Sequence, residues 1–120
     1  MSLVANGTTA LICALRAAGV SGEVITTPHT YIATAAAIAW AGCKPVFADI
    51  TPGGFNICPA SVERLVTPAT SAILGVHVYG EPCDDGALRD VARRHGLRLL
   101  YDAAHRLGVG GGGIQCLLDG

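Results

Sequence analysis

Helical and extended hydrophobic patterns alternate along this chain from end to end. Asn6 is a good N-cap residue, Gly7 to Ala18 reads as a helix, and Gly19 supplies a left-handed stop. Glu23 to Thr26 predicts a short strand, Thr30 to Ala41 an almost wholly apolar helix closed by Gly42, and Pro45 to Asp49 the next strand. A turn through Pro52-Gly53-Gly54 leads to a small helix with Pro59 at its first position, ending before Pro68. Ser71 to Val78 is the third strong strand. Asp84 then caps the clearest amphipathic helix, with Leu88, Val91, Ala92 and His95 on one face and Arg89, Asp90, Arg93 and Arg94 on the other. Gly96 ends it, Leu97 to Tyr101 is the last predicted strand, and the pattern decays beyond.

The strands are continuous apolar runs rather than alternating ones, so they are buried on both faces. That points to an α/β fold, a mostly parallel sheet with helices on both faces. A length of 120 residues suits one domain. The net charge of -1 argues against nucleic-acid and anionic-membrane surfaces, and the cluster Arg89, Arg93, Arg94 reads as a solvated helix face. With 51% hydrophobic residues the membrane question arises, but the run Ala35 to Cys43 is less than half the roughly 20 residues of a spanning helix. No basic region precedes the first apolar stretch, which Arg16 interrupts, so no secretory signal is read. Five widely spaced cysteines suit reduced thiols in a cytoplasm, and Cys13 and Cys43 read as small buried hydrophobes.

Polar residues gather where the strands end. Thr27 to Tyr31, Asp49, His77 to Gly80 and Asp102 to His105 each follow a predicted strand, on the rim where such sheets bind ligands. The helix opening at Gly7 aims its unpaired N–H groups and the Thr8 and Thr9 hydroxyls at an anion, phosphate being the usual one. A phosphate site beside the Asp102 carboxylate fits pyridoxal phosphate, whose protonated ring nitrogen pairs with a carboxylate. Taken alone, Asp102 reads equally as a turn residue, and His105, His29 and His95 as structural or solvated histidines.

Five ordered motifs sharpen this: Asn6 to Leu11, Thr27 to Thr34, Lys44 to Ile50, Val76 to Gly80 and Tyr101 to His105. In order and spacing, from about Leu3 to Val109, the chain resembles the DegT/DnrJ/EryC1/StrS family, fold-type-I aminotransferases acting mainly on nucleotide-linked keto-sugars. The resemblance implies pyridoxal 5'-phosphate as cofactor, an amino-acid donor such as glutamate, a cytoplasmic homodimer, and a place in nucleotide-sugar and polysaccharide biosynthesis. It implies that Asp102 meets the pyridine nitrogen, His105 lies beside the phenolic oxygen, Tyr31 stacks on the ring, and Thr8 and Thr9 bind the phosphate. No catalytic residue is assigned, because the family's cofactor-linking lysine lies downstream of the Asp102 motif and the one lysine here, Lys44, begins a strand at the opposite edge.

The expected organisation is residues 1–109 as part of the cofactor-binding large domain and 110–120 as a Gly-rich, poorly matching tail, the whole an internal fragment of a longer enzyme. Cys58 stands where the family usually has a capping Asp, a change worth about 1 kcal/mol. The alternative is a non-catalytic remnant or interaction module of the same fold. A nucleotide-binding α/β domain is less favoured, since the Gly-x-Gly-x-x-Gly match at Gly108 to Gly113 has no good helix after it. Cysteine and histidine spacings give no metal site, and no serine-hydrolase elbow is present.

Overall fold

In the computed structural model, the described residues are 7–28, 32–76, 83–102 and 114–117, with backbone alone described at 7 and 114–117. Nine elements follow one another: α1 (Gly7–Ala17), β1 (Glu23–Thr26), α2 (Ile32–Trp40), β2 (Lys44–Phe47), α3 (Pro59–Leu65), β3 (Thr70–Val76), α4 (Asp85–His95), β4 (Arg98–Asp102) and β5 (Ile114–Leu117). The helix ends obey the local signals. Gly19, Gly42 and Gly96 take φ of 68°, 87° and 66°, the left-handed turn that an L side chain resists. Asp84 accepts a hydrogen bond from the Ala87 N–H at the start of α4. Cys58, at the equivalent place before α3, makes no side-chain cap.

The strands form one sheet in the order β2-β1-β3-β4-β5, parallel from β2 to β4. A right-handed crossover fixes which face each helix covers. The chain steps from β1 to β2 in one direction, then reverses over β1 to β3 and continues to β4. So α2 lies on one face, and α3 and α4 on the other. The two cores follow this division. Leu11, Leu15 and Ala18 of α1 and its end pack with Ala37 and Ile38 of α2 against Val24, Ala72, Leu74 and Leu100. Val62 of α3 and Leu88, Val91 and Ala92 of α4 pack against Ile25, Ile73, Leu99 and Tyr101.

Two expectations need correction. Ile114–Leu117, within the stretch read as a patternless tail, pairs antiparallel with β4 as β5, in the register Leu99↔Leu117 to Asp102↔Ile114. Four residues after a glycine run carry too little periodicity to announce a strand, and the unpaired hydrogen-bonding edge of β4 recruits them. Cys13 is exposed rather than buried, because Leu11 and Leu15 take the inward face of α1. His95, one of the histidines read as structural or solvated, is exposed at the end of α4, where it reaches Glu63 of α3 at 3.5 Å beside the Arg94–Glu63 ion pair. As expected for a helix apolar nearly all round whose covering is partly missing, Thr34, Ala37 and Ile38 of α2 are buried, while Ile32 and Trp40 are 78% and 73% exposed. Predicted strand and helix bounds otherwise shift by one or two residues, and Asn6, Thr30, His77 and Val78 lie outside the described residues.

Candidate functional site

Because β1 to β4 are parallel, Thr26, Phe47, Val76 and Asp102 end them on one edge, and Glu23, Lys44, Thr70 and Arg98 begin them on the other. The strand order reverses between β1 and β3, and the crevice outside the carboxyl ends at such a point is where open α/β sheets take ligands. There the buried Thr26 hydroxyl donates to the Leu74 carbonyl at 2.9 Å, joining the ends of the two strands.

Asp102 stands half-buried at the end of β4, in register with Val76 of β3. Side chains alternate along a strand, so Asp102 belongs to the same face as Leu100, which packs in the α1–α2 core. α1 lies on that face too. Its first turn holds Thr8, half-buried, and Thr9, exposed, and contains no acidic side chain. The first N–H groups of a helix have no partner within it and carry a partial positive charge, so this terminus suits an anion. One sheet face thus offers an acid-free helix N-terminus and a carboxylate at the rim. Those are the two groups that a phosphorylated, protonated pyridine requires.

The remaining expected contacts, Tyr31 and His105, lie outside the described residues, as do His29, His77 and Gly80. Lys44 is exposed at the start of β2, in register with Glu23 of β1, on the edge away from Asp102. Among the described residues no group of three metal-binding side chains occurs, and no helix is long and apolar enough to cross a membrane.

Behind the rim, on the α4 face, lies a cluster that the sequence reading did not find. The buried Tyr101 ring packs across Gly75, where an added Cβ would sit 2.8 and 2.9 Å from the ring's Cε1 and Cδ1. Its hydroxyl donates to Asp85 Oδ1 at 2.8 Å, and Asp85 Oδ2 accepts from Arg89 Nε at 2.6 Å. The Cys83 thiol donates to the Val76 carbonyl at 3.2 Å. Burial, reinforced by the Asp85 charge, pushes the thiol up to about 12, so it stays protonated and is no nucleophile. Burial, then the hydrogen bond and charge of Asp85, likewise raise the Tyr101 phenol above its usual range and keep it a donor. One signal pointed here: Gly75, inside a strand, marks a close approach.

Residues 3–115 match the profile of the DegT/DnrJ/EryC1/StrS aminotransferase family. A similar protein is the dTDP-4-amino-4,6-dideoxy-D-glucose transaminase of Escherichia coli, 50% identical over 109 residues, which are 91% of this chain and 29% of that one. GDP-perosamine synthase of Caulobacter vibrioides is 47% identical over 106 residues, 87% of this chain and 29% of its own. The chain thus spans less than a third of the relatives it matches. Among solved structures, DesI in the presence of its TDP-sugar product superposes with a TM-score of 0.84 at 50% identity, covering 90% of this chain and 28% of that one. NtdA of Bacillus subtilis, solved with its bound cofactor PMP, gives 0.82 at 36% identity, covering 85% and 24%. The family's cofactor is pyridoxal 5'-phosphate. By its sequence profile and its fold alike, this chain belongs to the DegT/DnrJ/EryC1/StrS aminotransferase family.

Proposed function

We propose that the chain supplies cofactor-binding residues to an enzyme that moves an amino group from an amino acid, glutamate in the first instance, to a nucleotide-linked keto-sugar. The observation that carries this reading is the half-buried Asp102 at the carboxyl end of β4, on the same sheet face as the acid-free N-terminus of α1. Residues 1–109 then belong to the cofactor-binding domain, of a cytoplasmic homodimer.

In this reading the N–H groups and threonine hydroxyls of Thr8 and Thr9 hold the phosphate, and the family resemblance adds Tyr31 against the ring and His105 beside its phenolic oxygen. Bound there, pyridoxal phosphate supplies an electron sink for the carbanion formed when a proton leaves the amino acid's α-carbon. Asp102 holds the proton on the ring nitrogen by a charge-assisted hydrogen bond, which a neutral amide does not do. The sheet edge orients that carboxylate, and the two cores beneath exclude water from its strand. The chain by itself is inactive, since its one lysine opens β2 on the far edge. The sugar nucleotides named for the relatives, dTDP and GDP derivatives, support the acceptor class.

The test is a chimaera in which residues 3–115 replace the matching segment of the Escherichia coli transaminase. It should transfer the amine, and Asp102→Asn should cut the rate more than tenfold with the fold intact. A loss smaller than about tenfold, roughly 1.4 kcal/mol of barrier, overturns the role given to Asp102.

A further inference from the structure

We propose that Tyr101 is a positioning residue for Asp102, holding the last residue of β4 at its place on the rim through the contact of its hydroxyl with Asp85. Two clamps act from the α4 side on the final pair of the parallel sheet, one per strand. On β4, Tyr101 donates to Asp85 at the first turn of α4, and Asp85 is fixed in turn by Arg89 one helical turn on. On β3, the Cys83 thiol, just ahead of α4, ties down the carbonyl of Val76, the register partner of Asp102.

The absence of a side chain at Gly75 makes the first clamp specific. The Tyr101 ring lies where that side chain would be, so it crosses its own register partner on β3. The ring is 2% exposed and its far end reaches a carboxylate whose orientation Arg89 sets. The backbone at Tyr101 is therefore held at both its ladder bonds and its side chain. Asp102 is one peptide unit further, on the opposite face, so a twist of β4 at Tyr101 turns its carboxylate away from the α1 face directly. The proposal rests on the reading of Asp102 as the partner of the ring nitrogen.

The experiment is a double-mutant cycle on the affinity for pyridoxamine 5'-phosphate, which is held without a lysine bond, of the chimaera that carries residues 3–115 in the Escherichia coli transaminase. Tyr101→Phe keeps the ring and removes only the oxygen. It should weaken binding about fivefold in the parent chimaera, the scale of one hydrogen bond, and less than about twofold in the Asp102→Asn background, because the effect passes through that carboxylate. Thermal unfolding and circular dichroism establish that each variant is folded, and Asp85→Asn, which keeps the side-chain shape, gives a second entry to the same cycle. An equal loss in both backgrounds, or lower thermal stability with unchanged affinity, overturns the proposal and leaves Tyr101 a structural residue. If Asp102→Asn does not weaken binding in the chimaera, the cofactor reading falls and the proposal with it.

Discussion

Replacing Gly75 with alanine tests the packing behind the rim. The new Cβ would lie 2.8 and 2.9 Å from two Tyr101 ring carbons and 3.5 Å from the Cys83 sulfur. Carbon atoms rest about 3.5–4.0 Å apart, so the ring must retreat by most of an ångström. It has no room to do so without weakening its hydrogen bond to Asp85. Overpacking of this kind costs about 1–3 kcal/mol and the weakened bond about 1 kcal/mol more. Alanine restricts the unfolded chain and returns about 0.5–1 kcal/mol. The net expectation is a loss of about 2 kcal/mol, read by urea denaturation as a midpoint lower by about 1 M at unchanged slope. Tyr101→Leu should remove most of this cost, because the ring it depends on is gone, even though that change is itself destabilising. A Gly75→Ala cost below about 0.5 kcal/mol, or one equal with and without the Tyr101 ring, would refute the close approach.

Other expectations follow from single observations. Cys58 has the extended backbone of an N-cap, φ −85° and ψ 117°, and no capping bond, so Cys58→Asp should raise stability by about 1 kcal/mol; no gain in the urea midpoint would contradict the cap assignment. Below pH 9 the folded and unfolded chains both keep the Cys83 and Tyr101 protons, whereas above their ordinary values of 9.0 and 10.0 only the folded chain does. Stability should therefore fall from about pH 9 upward, by up to about 1.4 kcal/mol per pH unit for each group, and Cys83→Ala with Tyr101→Phe should flatten the profile of thermal unfolding against pH. Trp40 is the one tryptophan and is 73% exposed, so its emission in the dilute chain should be water-like and change little on unfolding, with a blue shift appearing only where chains associate through α2. Borohydride reduction in the presence of pyridoxal phosphate should give no stoichiometric, site-specific label at Lys44, as peptide mapping would show.

Much of this protein was legible in its order of residues, because the signals concerned act over one or two turns of chain. Gly19, Gly42 and Gly96 stop helices through their own backbone freedom, Asp84 reaches an N–H three residues on, and Pro59 opens α3 through its own fixed φ. Unbroken apolar strands between helices imply a parallel sheet, and a parallel sheet sends every strand end, Asp102 included, to one edge and Lys44 to the other. The tertiary structure decided what depends on partners distant in the chain. Which helix covers which face follows from the strand order, and the antiparallel seat of β5 follows from an edge of β4 that only the folded sheet presents. Gly75 hinted at a close approach, but only register brings it beneath Tyr101, 26 residues on, and only the packing of α4 brings Asp85 to the phenol. A periodicity records which way a side chain faces. It does not record what stands opposite, since that is settled by the competition of all strands and helices for the same buried area.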